Sequence, residues 1–306
     1  MTLPLVLLAI IINFATTTVN KLMTMNKNLI FTMLVMAVLL SCTSNGNANQ
    51  GSNSQAVNDS TLCQFRNIKL EKMYSCIDED RGTIYFDNTF TALWPEVING
   101  KPCTELQQAL LRSMTDSAAL NQLDKVTDFL LNPGNYTDYD IKQLTPVDSV
   151  KSDYDKLSTS EVKVIMESMT DRLLTYRLST FSYMAGGAHG IYGHNFTTYD
   201  LKTEKAVTLG DVIADTTLLR TAILKSIKQE YNYGTDELFL PDNGLLPLPR
   251  DFYFDGSVMH AVYQVYEIAS YAQGMIDAPI YPYLLKPEEM KRLYTPYGLE
   301  LIDYSE

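Results

Sequence analysis

The chain has 306 residues, of which 36 are acidic and 24 are Lys or Arg, so its formal net charge is −12. Nucleic-acid binding needs clustered basic side chains that neutralise phosphates, and this balance argues against it. An acidic surface is compatible with a cationic partner, which it attracts at low salt, although solvated acidity without a partner is the commoner meaning. The length allows one large domain or two small ones.

The segment 25–42 reads MNKNLIFTMLVMAVLLSC, with a basic start, an apolar run and a cysteine at its end. The run is shorter than the roughly 20 residues of a spanning helix, which favours a secretion signal. The segment resembles the bacterial lipobox, and the resemblance implies cleavage before Cys42 and acylation of that residue. The alternative is a membrane helix with an incidental cysteine.

Residues 1–24 contain a second apolar run, which we interpret as an over-extended start, so 1–41 is assigned to a signal peptide. A two-span anchor is the alternative. Residues 42–62 are mostly Ser, Thr, Asn, Gln and Gly, and we predict a flexible linker there because they bury too little apolar surface to fold. No aspartate follows Cys42, which by the usual sorting rule implies an outer-membrane anchor. We expect the protein at the periplasmic face, touching the membrane only through its lipid.

Two strands are predicted in 65–76 and 82–94, because both segments are rich in β-branched and aromatic residues and a polar turn separates them. Two helices follow. Thr104 and Gln107 form a capping-box pattern before the first helix, and Asn132-Pro133-Gly134 ends the second.

The second half predicts strands again, with helices between them. In chain order, the elements are a hairpin turning at Thr170-Asp171, a strand at 192–201, a short helix capped by Thr208 with Asp211, a longer helix opened by Asp215, a hairpin turning at Asp255-Gly256, a strand within 278–285, and a last helix with Pro287 at its first position. This order predicts an α+β fold with largely antiparallel sheets and inserted helices in two lobes, 63–150 and 155–306.

An oxidising compartment permits a disulfide, and Cys63 with Cys76 is the favoured pair because they flank one predicted strand and its turn. Cys103 would then stay unpaired. No CxxC or CxxH spacing occurs, so we expect no structural zinc site and no cofactor.

Four blocks of the second lobe carry a family resemblance. They are YMAGGAHG at 183–190, NFTTYDLKTEKAVTLGDVI at 195–213, FYF at 252–254 and YEIASYAQGMIDAPI at 266–280. In this order they resemble the C-terminal ectodomain family of the anti-sigma factor RsiV, also found in the peptidoglycan deacetylase PdaC and in many bacterial lipoproteins. The resemblance implies an extracytoplasmic module that binds lysozyme or a peptidoglycan-related ligand. The sigma-binding segment of RsiV and the deacetylase motifs of PdaC have no match here.

The stretch FSYMAGGAHGIYGHNFTTYDL contains two of the three histidines. Gly186 and Gly187 permit positive φ or a close backbone approach, so the GGAHG sequence is first interpreted as a tight turn. As a contact surface it would also present His189, Tyr192 and His194, with Asp211 as a further binding candidate.

A metal or catalytic centre is the competing hypothesis for the same residues. Two imidazoles at 189 and 194 need a third ligand, for which the candidates are His260, Asp200 or Asp211. Ser182 and Ser257 are possible nucleophiles, but no Gly-x-Ser-x-Gly elbow is present. We therefore predict no metal ligand and no catalytic residue, with a cell-wall hydrolase or deacetylase near GGAHG as the alternative function.

The chain has 20 tyrosines, several of them in turn-rich stretches. Tyrosine is common in strands, but it is also enriched where a surface binds proteins or sugars. The sequence thus predicts a non-enzymatic lipoprotein that binds lysozyme or peptidoglycan in the cell envelope.

Overall fold

The structure, a computed structural model, describes residues 63–115, 119–136, 143–151, 153 and 155–303. The predicted signal peptide and the whole predicted linker, which begins at Cys42, lie outside these residues. No helix within the described ranges is long and apolar enough to cross a membrane. The described residues of 65–98 and 102–303 belong to one compact unit.

The described residues form eleven β-strands and six α-helices, which confirms the predicted α+β class. The strands are β1 (Gln64–Asp78), β2 (Gly82–Ile98), β3 (Lys101–Pro102), β4 (Thr145–Pro146), β5 (Leu157–Met169), β6 (Leu173–Tyr183), β7 (Ile191–Asp200), β8 (Lys205–Ala206), β9 (Asp251–Asp255), β10 (Val258–Tyr263) and β11 (Ile276–Ile280). The helices are α1 (Thr104–Met114), α2 (Leu123–Leu130), α3 (Leu209–Val212), α4 (Thr216–Tyr231), α5 (Pro287–Leu293) and α6 (Pro296–Leu301).

The strands form two sheets. The larger has the order β4-β1-β2-β5-β6-β7-β8, with β3 beside β2, and the smaller has the order β11-β10-β9. The pairs β5–β6, β6–β7, β9–β10 and β10–β11 are antiparallel, whereas β2 and β5 pair in parallel from Tyr85↔Leu157 to Ala92↔Val164. Since β2 and β5 lie on opposite sides of the predicted boundary at 150–155, the two predicted lobes share one sheet.

The sheet buries one face and leaves the other half-exposed. Along β2 the even-numbered positions from Ile84 to Trp94 are buried, and they include Phe86 and Phe90. Successive strand residues point to opposite faces, so the odd-numbered positions lie on the face open to solvent. On that open face β5, β6 and β7 present the side chains that build the candidate site.

A second buried core lies between α4 and the smaller sheet. Leu219, Ile223 and Ile227 of α4 are fully buried in one cluster with Ala261 and Ile276 of the smaller sheet. These α4 positions repeat at helical spacing, as the buried face of an amphipathic helix does.

Local sequence signals predicted three of the helix starts. The structure confirms the capping box of Thr208 with Asp211, the capping of α4 by Asp215, and Pro287 as the first residue of α5. The prediction for α1 was wrong by one residue: Cys103 is its N-cap, with no side-chain cap hydrogen bond, and Thr104 already lies in the helix. The strand predicted within 278–285 ends at Ile280, since a 3₁₀ turn begins at Pro282.

A buried ion pair closes the far end of β6 and β7. Asp200 is fully buried and accepts hydrogen bonds from Arg172 at 3.1 and 3.2 Å and from the Tyr297 hydroxyl at 2.8 Å. The second partner of Arg172 is Glu300, at 2.7 Å. The network therefore ties the C-terminal helix α6 to the hairpin of β6 and β7.

Replacing Asp200 with Asn should lower the free energy of unfolding by about 3 kcal/mol at neutral pH, because it leaves Arg172 without its buried counter-charge. Urea denaturation measures this. Glu300→Gln is the matched control, and its loss should be smaller because the Glu300 side chain is 49% exposed. Equal losses in the two variants would contradict this account.

The stability lost in Asp200→Asn should depend on pH. Burial raises the pKa of Asp200, but the hydrogen bonds from Arg172, the Lys202 amide and Tyr297 outweigh it, so the folded pKa lies below its ordinary value. Such a carboxyl contributes stability above its unfolded pKa, about 3.9, and loses it as the pH falls through the folded pKa. The difference between wild type and Asp200→Asn should therefore shrink below about pH 4.

Candidate functional site

The GGAHG sequence forms the turn between β6 and β7. Gly186 has φ +71°, in the left-handed region that favours glycine. A Cβ on Gly187 would lie 2.9 Å from the carbonyl oxygen of Met184, so no side chain fits there without a shift. The conformation of the turn therefore disfavours a side chain at both positions.

The turn is held from two sides by residues distant in sequence. The Ala185 amide donates to the Ser158 hydroxyl at 2.9 Å, and the Ala185 carbonyl accepts from Arg81 Nη1 at 2.7 Å. Ser158 lies on β5, and Arg81 belongs to the turn between β1 and β2. Tyr183 adds a hydrogen bond from its hydroxyl to the Gly187 carbonyl at 3.1 Å. The backbone of the turn is thus fixed by the rest of the sheet.

Four aromatic side chains meet at this turn, and we name His189, Tyr192, Tyr266 and Tyr271 the aromatic turn surface. His189 stacks on Tyr271 with ring centroids 4.1 Å apart. Tyr192 and Tyr266 contact the same Tyr271 ring at 6.0 and 5.6 Å. The Tyr271 hydroxyl donates to the Gly190 carbonyl at 2.7 Å, which fixes the central ring. His189 and Tyr192 were predicted from the sequence as contact residues, whereas Tyr266 and Tyr271, from the segment after β10, were not.

Both imidazoles of the stretch use Nδ1 for the backbone. His189 Nδ1 lies 2.9 Å from the Gly190 carbonyl, and His194 Nδ1 lies 2.8 Å from the Gly193 carbonyl. A carbonyl oxygen only accepts, so these contacts assign the proton to Nδ1 in both rings. Burial lowers the pKa of His194, and the nearby charge of Arg177 lowers it further. His194 therefore takes up a proton only at a lower pH than an ordinary imidazole does.

The smaller sheet joins the larger one at the edge of β7. The Gln264 side chain accepts from the His194 amide at 3.0 Å and donates to the His194 carbonyl, as a neighbouring strand would. Asp251 of β9 accepts from the Phe196 amide and the Asn195 side chain, both near 3.3 Å. Burial raises the pKa of Asp251, so these hydrogen bonds offset a desolvation cost. Sequence analysis did not single out Gln264 or Asp251, since neither belongs to a local motif.

The structure does not bring the competing catalytic residues together. Asp211 forms the capping box of α3 together with Thr208. This helix lies near the C-terminal end of β7, about 30 Å along the strand from the GGAHG turn. Asp200 is held by Arg172. Among the described residues, no three or more His, Cys, Asp or Glu side chains are grouped so that they could hold a metal ion.

Among the described residues, neither candidate serine is hydrogen-bonded to an imidazole. Ser182 pairs with Ile191 across β6 and β7, one position from the pair that contains Tyr192, so its side chain points to the opposite face. Ser257 lies in the turn before β10, and Nδ1 of His260 pairs with Asp277 at 2.8 Å.

His260 belongs to a second polar cluster that sequence analysis missed. Asp277 accepts from the Tyr253 hydroxyl at 2.8 Å as well as facing His260. The Tyr253 ring stacks between His260 and Phe196, with centroids 4.4 Å from each. Because Phe196 lies on β7, the cluster links the two sheets and covers one face of the imidazole.

The predicted disulfide between Cys63 and Cys76 was wrong. Among the described residues, none of Cys63, Cys76 and Cys103 takes part in a disulfide. β1 extends without a break from Gln64 to Asp78, so residues near its two ends lie about 40 Å apart. A disulfide needs Cα atoms within roughly 7 Å of each other. Because Cys63 and Cys76 lie near opposite ends of one extended strand, they are too far apart to form a disulfide.

The fold is similar to that of proteins with known crystal structures. The chain matches no protein-family profile and no curated protein. A crystal structure of a DUF3298 family protein from Bacteroides fragilis is similar, with a TM-score of 0.55 and 17% identity over 79% of this chain and 98% of that one. A DUF3298 protein from Pseudomonas aeruginosa has a TM-score of 0.46 and 15% identity, over 76% and 95%. The structural neighbours are thus DUF3298 proteins, a family of unknown function, and the first likeness shows a shared fold.

Replacing Ser158 with Ala should loosen the GGAHG turn. The variant leaves the buried Ala185 amide without its acceptor, which should cost about 1–3 kcal/mol of stability. Hydrogen exchange should quicken at Ala185 and its neighbours. Ser182→Ala, on the exposed end of β6, is the control and should leave exchange unchanged. Uniform acceleration across the sheet would show that Ser158 supports the fold generally and not this turn.

Proposed function

We propose that this protein is a lipid-anchored binding module of the bacterial cell envelope, and that the aromatic turn surface is its contact site. The observation that carries the proposal is the stack of His189 on Tyr271 at 4.1 Å, on a turn whose backbone is fixed by Arg81 and Ser158. A rigid scaffold that presents aromatic rings at a loop is typical of a recognition surface.

A binding role fits this surface better than hydrolysis does. General acid–base chemistry needs a proton-transferring group close to a second group that it activates or that orients it. Here Nδ1 of both His189 and His194 faces a backbone carbonyl, and the Asp211 side chain is used by the capping box of α3. The residues of the competing hydrolase or deacetylase hypothesis therefore perform local structural tasks.

The envelope setting is supported by the sequence. The lipobox-like segment before Cys42 and the polar linker up to residue 62 would tether the domain to a membrane. The resemblance of the second lobe to the RsiV ectodomain family supports an extracytoplasmic module. We place the protein at the periplasmic face of the outer membrane, with no membrane contact except the lipid.

Replacing Cys42 with Ser should move the protein from the membrane fraction to the soluble fraction of cells, since no acyl chain would attach. Metabolic labelling with a radioactive fatty acid should mark the wild type and not the variant. Ser41→Ala, which keeps a small residue before Cys42, is the control and should stay membrane-bound. A Cys42→Ser protein that remains in the membrane fraction would favour the membrane-helix interpretation.

Two ligands suit a wall-facing module. One is the wall glycan itself, which an aromatic surface can bind. The other is a lysozyme, which a specific observation favours: removal of residues 1–41, with two lysines and no acid, would change the formal net charge from −12 to −14. Such a charge attracts a cationic protein at low salt.

Purified protein in detergent should co-sediment with isolated peptidoglycan sacculi, and Tyr271→Ala should weaken that binding about tenfold, since it removes the central ring. Calorimetry with a C-type lysozyme at low and moderate salt tests the second ligand. Binding that persists at moderate salt and blocks lysozyme activity would make the protein a lysozyme inhibitor or sensor, whereas binding that vanishes with salt would be bulk charge attraction.

Tyr283→Ala is the matched control for that experiment. Tyr283 is 74% exposed and stacks only on Tyr281 among the described residues, outside the aromatic turn surface. Its removal should change neither interaction. Absence of binding to sacculi and to lysozyme, or binding that Tyr271→Ala leaves intact, would contradict the proposed contact site.

A further inference from the structure

The aromatic turn surface continues across the open face of the larger sheet. Phe181 of β6 pairs directly with Tyr192 of β7, so their side chains lie side by side on the same face, about 4.8 Å apart along the hydrogen-bonding direction. Phe181 is 39% exposed. A Cβ on Gly190 would collide with the Phe181 ring, which shows that this ring lies over the Gly190 backbone. An aromatic row therefore runs from Phe181 through Tyr192 and Tyr271 to His189, with Tyr266 against Tyr271.

This row presents polar atoms at its rim as well as ring faces. The Tyr271 hydroxyl and His189 Nδ1 are both used for the Gly190 carbonyl, which orients the two rings. The Tyr192 hydroxyl and His189 Nε2 have no hydrogen-bond partner among the described residues. A ligand that lies on the rings could therefore hydrogen-bond to one acceptor nitrogen and one hydroxyl.

Two ion pairs lie beside the row. Lys163 lies 2.8 Å from Glu161, and Arg177 lies 2.8 Å from Glu167. Glu161 is the cross-strand partner of Phe181, so the first pair directly adjoins the row. These two pairs therefore add no net charge beside the row. A site with balanced neighbouring charges gives no electrostatic preference to a cationic protein, and it suits an uncharged ligand.

Pyranose sugars have the matching chemistry. Their axial C–H groups form an apolar face that packs on an aromatic ring, and their hydroxyl groups point outward to hydrogen-bond at the rim of that ring. A row of rings suits a chain of such units better than a single unit, because each further ring adds contact area without a new charge.

We infer that the aromatic row, formed by the aromatic turn surface together with Phe181, binds an uncharged oligosaccharide chain of N-acetylhexosamine units. This inference rests on the proposed envelope function, which makes the glycan backbone of the wall the sugar chain within reach of the surface. The row supplies the stacking platform, and Tyr192 and His189 supply the hydrogen bonds at its rim.

The test is a calorimetric titration of the purified protein with the tetramer of N-acetylglucosamine. Saturable binding is expected, weakened about tenfold by Tyr271→Ala and by Phe181→Ala, which each remove one ring. Tyr192→Phe keeps its ring and loses only the hydroxyl, so its loss should be smaller than that of Tyr192→Ala. Tyr283→Ala should bind as the wild type does. Circular dichroism of each variant separates lost binding from lost fold.

A glucose tetramer is the comparison ligand, and it should bind more weakly because it lacks the acetamido groups. Equal binding of the two tetramers would overturn the assigned sugar class. If the N-acetylglucosamine tetramer does not bind while sacculi still require Tyr271, the oligosaccharide inference fails and the proposed binding module stands. If lysozyme binding requires Phe181 and Tyr271 and the tetramer does not bind, the row is a protein-binding site and the inference is overturned.

Discussion

The parallel pairing of β2 with β5 is the constraint on which the candidate site depends. It joins two segments that the sequence separates by a pair of helices, and it places Ser158 of β5 opposite Phe86 of β2. Arg81, in the turn before β2, and Ser158 then approach the same Ala185 from two directions. The GGAHG turn is rigid because strands from both halves of the domain hold it. Without this pairing, the turn would lack its hydrogen bonds to Arg81 and Ser158.

The second requirement is the closure of the β7 edge. An open strand edge has unpaired backbone groups, and here the Gln264 side chain bonds to both backbone groups of His194. Asp251 completes the joint, although burial of its carboxyl costs free energy. Gln264 is fixed at this edge, and the chain that follows it passes the GGAHG turn. There Tyr271 stacks on His189, and Tyr266 contacts Tyr271.

The chemistry of the surface follows from these two joints. His189 of this surface and His194 beside it both bond to the backbone through Nδ1. Two ion pairs lie beside the surface. Of its rings, His189 and Tyr266 are exposed and Tyr192 and Tyr271 are half-buried. An acidic chain with a locally balanced aromatic surface differs from a protein that selects its partner by charge. Net charge therefore describes how this protein behaves in solution, whereas the arrangement of rings describes what the surface can hold.

The sequence by itself determined the features that depend on neighbouring residues: the α+β class, the two hairpins, the capping of α3 and α4, and the turn at GGAHG. These follow from side chains that bond to a backbone a few residues away, or from glycine at positive φ. The same local view gave the wrong disulfide, because it counted Cys63 and Cys76 as neighbours across an extended strand. Only the tertiary structure decided the β2–β5 pairing and the arrival of Tyr266, Tyr271 and Gln264 at the turn. Those contacts join residues about 70 or more positions apart, and their free energy comes from burial and edge pairing in the folded chain, which no short sequence pattern encodes.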